Sequence, residues 1–269
     1  MATTLLLLAA SLLVAACGKS AQLPSKPSAH AKAEHKSAPA HGARATTKAQ
    51  AIALAKALNL RASDLPGFHL DTEREGAGSH SEKALERKAR ACMGAKEVAP
   101  LGEAGSHTFE RKAQIFSVSV SSSVEIANTP AQAQAELELI RSSRARGCLK
   151  EFVGKLLALQ SKDGTSIKIV SIAKGDPPAP GTSGSFGWRI TAKASLHGVQ
   201  LPFYFDLLGF GYGQALVSVF SFGLPVPFPP KAESELFSLL IERAKTGGGG
   251  KLGKSGKAPQ LSGPRQVQI

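Results

Sequence analysis

Between Phe116 and Ile126 polar and apolar side chains alternate without interruption. Phe116, Val118, Val120, Val124 and Ile126 share one phase with Ser122, and Ser117, Ser119, Ser121, Ser123 and Glu125 share the other. Period two over this length predicts a strand with one buried and one wet face. Upstream, Ala51, Leu54, Ala55 and Leu58 recur at helical spacing and open the folded region as a helix, followed by a Ser63–Phe68 turn. A second helix is predicted over Ser81–Met93, capped by Ser81 and stopped by Gly94. After the strand, Thr129 caps a third helix with Pro130 in its first position and Gln132 completing a capping box. It runs to about Arg146, pauses near Gly147, and resumes with the stripe Leu149, Phe152, Val153, Leu156 and Leu157.

The remainder reads as sheet. Ile167–Ile172 is a strand, and a Pro/Gly/Ser loop follows from Gly175 to Gly184. Phe186–Leu196 and Val199–Leu207 alternate around a His197-Gly198 hairpin turn, residues 209–213 turn again, and Ala215–Phe222 returns. Beyond a proline-rich turn, Leu236, Phe237, Leu239, Leu240 and Ile241 mark a closing helix. Consecutive hairpins with helices before, between and after predict an α+β fold, a single antiparallel sheet with helices packed on it.

Composition sets the boundaries. Residues 18–46 are almost entirely Ala, Lys, Ser, Pro, His and Gly, and residues 246–269 open with four glycines. Neither stretch has the apolar content to offset its ordering entropy. The predicted organisation is therefore a leader over 1–16, a disordered linker over 17–46, a folded domain over 47–245 and a disordered basic tail over 246–269. The linker histidines His30, His35 and His41 are read as solvated side chains.

The leader changes the picture most. An apolar run from Leu5 to Val14 ends in Val14-Ala15-Ala16-Cys17. Ten residues are too few for a bilayer, which takes about twenty, and suit a signal peptide. Small residues placed directly before a cysteine resemble the bacterial lipobox, which implies diacylglyceryl attachment at Cys17 and cleavage before it. The expectation is a lipid-anchored protein on the outer face of the cytoplasmic membrane or elsewhere in the cell envelope, with membrane lipid as its first partner.

Charge adds less than its total suggests. Of the net +13, residues 18–50 and 245–269 carry +5 each, and the rest of the chain only +3. Positive charge on the flanks favours anionic lipid or wall polymer, and the envelope address argues against nucleic acid. With Cys17 assigned to lipid, Cys92 and Cys148 remain, an even number in an oxidising compartment. They are expected to form a disulfide, two buried free thiols being the alternative.

Two groups of residues are candidates for binding. If the cysteines pair, Lys83, Arg87, Lys88 and Arg90 come beside Arg141, Arg144, Arg146 and Lys150, and clustered cations recognise phosphate or carboxylate. The competing reading is a solvated helix face, since Glu82, Glu86, Glu136, Glu138 and Glu151 are interspersed and Glu86 and Arg90 have i,i+4 spacing. The second group is aromatic: Phe203, Phe205, Phe220 and Phe222 crowd the last hairpins and line either an apolar ligand site or plain core. No nucleophile elbow or zinc spacing is present. His69, His80, His107 and His197 with Asp64, Asp71 and Asp206 make a triad only on paper, so no catalytic residue, metal or cofactor is expected.

An Asp-Leu-Pro-Gly turn at 64–67, two cysteines and a strand running into Thr129-Pro130-Ala131-Gln132 resemble actinobacterial surface lipoproteins. Tyr204-Phe205-Asp206, Gly213, Val217-Ser218-Val219 and the final arginine-containing helix extend the resemblance over about residues 50–245. The groups are the LpqN-type lipoproteins and the extracellular sensor domains of PknH-type kinases, which share a PsbP/Mog-like sandwich. The kinase ectodomains carry two disulfides where this chain has one cysteine pair. The resemblance implies a domain that binds a ligand or partner and transfers no catalytic set. The expected function is thus a non-catalytic envelope lipoprotein binding a lipid-like or anionic envelope component. The alternatives are a sensor-like domain that docks an envelope protein and, third, an anchored hydrolase.

Overall fold

The computed structural model describes residues 44–71, 80–96, 98–114, 116–160, 165–196 and 199–247. Cys17, the leader, most of the linker, nearly all of the tail and the His197-Gly198 turn lie outside the described residues. So does the side chain of Lys83.

Among the described residues five α-helices pack on one antiparallel sheet: α1 (Lys48–Leu58), α2 (His80–Met93), α3 (Pro130–Arg141), α4 (Ser143–Gln160) and α5 (Pro230–Lys245). The strands are β1 (His69–Leu70), β2 (Gly102–Gly105), β3 (Phe109–Lys112), β4 (Ser117–Ile126), β5 (Thr165–Gly175), β6 (Gly184–Leu196), β7 (Val199–Tyr212) and β8 (Ala215–Leu224). Their order is β1-β3-β4-β8-β7-β6-β5. The short β2 shares an edge of β4 with β3, β3 taking Ser117–Val120 and β2 taking Ser123–Ile126.

Local signals explain the helix ends. The Thr47 hydroxyl accepts from the Gln50 amide while Gln50 Oε1 accepts from the Thr47 amide, satisfying two orphan donors at the start of α1. Gly94, at φ +94°, ends α2 in a conformation costly for any residue with a β-carbon. Thr129 caps α3 as expected, its hydroxyl accepting from Gln132 N at 3.1 Å. The Gln132 side chain, however, reaches one residue further back than a capping box requires and accepts from Asn128 N.

The sheet is covered on both faces, which corrects the expectation of a wet face on β4. α1 and α5 cover the face formed by Val118, Val120, Val124, Val217, Val219 and Phe210. α3 and α4 cover the opposite face, formed by Phe186, Trp188, Ile190, Ala192 and Leu216. Ser119, Ser121 and Ser123 belong to this second face and are buried. Serine at these positions reflects close packing beside Phe222, Phe220 and Ser218 of β8, not solvent. Three further expectations shift. Residues 209–212 continue β7, so the turn narrows to Gly213-Gln214. The helix break falls at Ser142, with extended backbone, and α4 runs through Gly147. The four-residue strands β2 and β3, and the two-residue β1, are too short to show periodicity and are legible only in the structure.

A polar node locks α1, α5 and the sheet. Asn59 donates to Ala104 O at 2.8 Å and accepts from Ser122 Oγ at 2.7 Å, and the Leu60 amide donates to Ser122 Oγ at 2.9 Å. Gly102 lets α1 approach, since a β-carbon there would sit 2.7 Å from that of Ala51.

Candidate functional site

On the second face the three helices do not fill the space evenly. α3 lies over β6, β7 and β8, α4 over β5, and α2 packs chiefly on α4. Cys92 of α2 and Cys148 of α4 are disulfide-bonded, with Cα atoms 5.7 Å apart. Where α2, α3 and α4 meet the sheet, a cavity of about 130 Å³ remains.

Polarity changes across the cavity from strand to strand. β4 contributes Ser123 and Glu125, β8 contributes Leu216, Ser218 and Phe220, β7 contributes Leu207 and β6 contributes Phe186. In register, Glu125 lies opposite Leu216, and Phe220 opposite Leu207. Met93, Leu139, Ile140, Leu149 and Phe152 close the helical side. Phe186 is fully buried and lies flat across β7 because Gly209 has no side chain. A β-carbon at Gly209 would meet the Phe186 ring at 2.2 Å.

The β4 end is charged. Arg90 Nη1 donates to Glu125 Oε1 at 3.2 Å and Arg90 Nη2 to Glu136 Oε2 at 3.0 Å, tying α2 to β4 and α3. The Arg90 side chain is 31% exposed, so this end reaches solvent while the Phe186 end does not. Glu86, one turn earlier on α2, also lines the cavity, and Glu103 faces Glu125 across the β2–β4 ladder. Burial, with Glu125 and Glu103 nearby, pushes the Glu86 carboxyl up to about 7. Burial raises Glu125 as well.

The aromatic residues singled out in the sequence share this face. Phe220 lines the cavity; further along the same ladder Phe205 and Phe222 meet as tilted rings with centroids 5.2 Å apart, and the Phe203 ring lies 6.1 Å from that of Phe222. Phe203 and Phe205 are half-buried. An apolar strip therefore continues from Leu207 and Phe220 along β7 and β8.

The basic residues divide. Arg90 turns inward to its two carboxylates. Arg141 is half-buried, within 3.4 Å of Glu138. Arg87, Lys88, Arg144, Arg146 and Lys150 stay exposed on α2 and α4. Of the acids weighed for a triad, Asp64 is bound by Arg243, and Asp206 is bound bidentately by Arg189 at 2.6 and 2.8 Å on the opposite face of the sheet. Beside that pair, Glu233 accepts from Ser221 Oγ, and burial together with Asp206 raises its carboxyl to about 7.

Sequence reasoning missed the acidic side of the cavity. Glu86 and Glu136 appeared there only as charges diluting a basic face, and Glu125 only as a polar strand position. The usable signal was Glu125 itself, a carboxylate ending a run of serines on a strand that needed no charge.

No protein-family model matches the chain, and no curated protein matches it. Among solved structures it is similar to the extracellular domain of PknH from Mycobacterium tuberculosis, at 10% identity and a TM-score of 0.34, covering 71% of this chain and 95% of that one. The likeness is one of general arrangement, and no ligand or role is carried over from it.

Proposed function

We propose that this chain is a lipid-anchored, non-catalytic protein of the cell envelope that binds a lipid-like ligand between its three-helix layer and the sheet. The cavity carries the reading. It is concave, mostly apolar with a few convergent polar groups, and open to solvent at its β4 end, the form small-molecule sites take. Its volume of about 130 Å³ is close to that of cavities that admit one benzene ring. It therefore suits a short apolar segment, and a longer chain can continue along Phe205, Phe222 and Phe203. The disulfide supports an extracytoplasmic address, where such bonds persist, and the lipobox-like leader supports anchoring through Cys17.

The test is a titration of the full chain with octanol, followed by two-dimensional amide NMR. Saturable shifts around Phe186, Leu207 and Leu216 support the reading. Shifts scattered over the surface, or none, overturn it.

A second reading rests on the exposed cations. Arg87, Lys88, Arg144, Arg146 and Lys150 lie on two helices joined by the disulfide, which favours docking of an anionic wall polymer or envelope protein. That binding would weaken steeply with salt, whereas octanol binding would not.

A further inference from the structure

Resting on the cavity as a ligand site, the geometry points to a cationic amphiphile as its occupant: an amine or ammonium head at the β4 end and an apolar tail toward Phe186. The orientation follows from exposure and register. The end that reaches solvent is built from Glu86, Glu125 and Glu136, and the inner end from Phe186, Leu207 and Leu216. A head group entering this cavity meets carboxylates.

The charge balance gives the sign. Three acidic side chains line the cavity against one guanidinium, which already donates to Glu125 and Glu136, so each ionisation of Glu86 adds a negative charge with no hydrogen bond from that guanidinium. Arg87, on the same helix as Glu86, is exposed and faces solvent. An anionic head would be placed among like charges in a partly desolvated site, which is costly. A cationic head would supply the charge the cluster lacks and leave the Arg90 bonds intact. The basic residues on the outside of α2 and α4 do not change this, because among the described residues Arg90 is the one cation lining the cavity.

Proton binding gives an independent signature. The raised Glu86 carboxyl holds a proton through part of the neutral range because of its burial and, second, the negative charge of Glu125 nearby. Arg90 and Arg87 pull the other way without cancelling this. A cation seated beside Glu86 takes the place of that proton, so binding near pH 7 releases protons to the buffer. A neutral tail of the same length does not.

The experiment titrates the full oxidised chain with octylamine, octanoate and octanol at pH 7, by calorimetry in two buffers of different ionisation enthalpy. The inference expects octylamine to bind about tenfold more tightly than the other two, with proton release seen for octylamine alone. Glu125→Gln and Glu136→Gln should each reduce that preference while octanol affinity stays. Leu207→Trp, or Met93→Trp should the first fail to fold, fills the cavity and should abolish octylamine binding. Equal binding of all three, or preference for octanoate, overturns the inference and leaves the apolar site standing. Octylamine binding that survives the filled cavity is surface attraction and also overturns it. If none of the three binds, the site itself is refuted.

Discussion

Arg243, in the last turn of α5, and Asp64, in the turn after α1, form a doubly hydrogen-bonded ion pair at 2.6 and 2.8 Å with side chains only 5% and 2% exposed. Asp64 also accepts from the Arg61 amide, and Arg243 also donates to Asn59 O. The pair thus joins the first and last helices of the fold. Removing one partner strands a buried charge, so Asp64→Ala or Arg243→Ala should each cost about 3–5 kcal/mol. The double change to apolar residues should cost less than the sum of the two. Urea unfolding of the four proteins checks this, and additive losses would count against a directly coupled pair.

Stability should fall as pH rises from about 4.5 to about 7. Glu86 and Glu233 both have carboxyls raised from an ordinary 4.5 to about 7 by burial and neighbouring acids. The unfolded chain gives up these protons near 4.5 while the folded chain keeps them to about 7, so the advantage is complete below 4.5 and gone above 7. The two groups together amount to a few kcal/mol. Glu86→Gln and Glu233→Gln should each flatten the profile between pH 5 and 8. A wild-type profile that is flat or rising over that interval would refute this assignment.

The disulfide should govern α2 more than the rest of the fold. α2 packs chiefly on α4, and outside that contact Arg90 ties it to Glu125 and Glu136. With the cysteines 56 positions apart, the chain-entropy contribution is about 4 kcal/mol or less. In Cys92→Ser/Cys148→Ser, amide exchange should accelerate first along α2, while β4, β7 and β8 stay protected. Uniform acceleration across the sheet would mean the bond holds the whole domain.

Glycines at close approaches should behave unlike those in open helix. Gly209→Ala would drive a methyl into the Phe186 ring and to 2.7 Å from Val217 O, costing about 1–3 kcal/mol or more. Gly147 sits inside α4 with nothing within 4 Å of a β-carbon, so Gly147→Ala should stabilise by about 1 kcal/mol. Thermal unfolding of both variants reads out the contrast.

The proposed anchoring depends on one sulfur. Cys17→Ala should move the chain from the membrane fraction to the soluble fraction of the envelope, and unchanged membrane retention would exclude lipid attachment there.

Much of this architecture was written in long periodic segments. The alternation of β4 and β6, the Thr129 cap and the stripe of α4 each name their element. What failed did so for tertiary reasons. Alternating serines in β4 imply water on one side, but a second helix layer buries Ser119, Ser121 and Ser123 just as completely. Gly147 suggests a break that helix packing overrides, while Ser142 breaks the chain without any glycine. The candidate aromatics do share one face, because residues two apart on a strand must. The cavity was not legible, since Glu86, Glu125 and Glu136 come from three elements whose meeting depends on where α2 is pinned.

The central claim, that this face holds a lipid-like ligand, is tested most directly by native mass spectrometry of the chain purified from its own envelope, beside Leu207→Trp. The account predicts a noncovalent adduct on the wild-type protein that organic extraction removes and the filled cavity excludes. An adduct-free wild-type protein, or an adduct retained by Leu207→Trp, would contradict it.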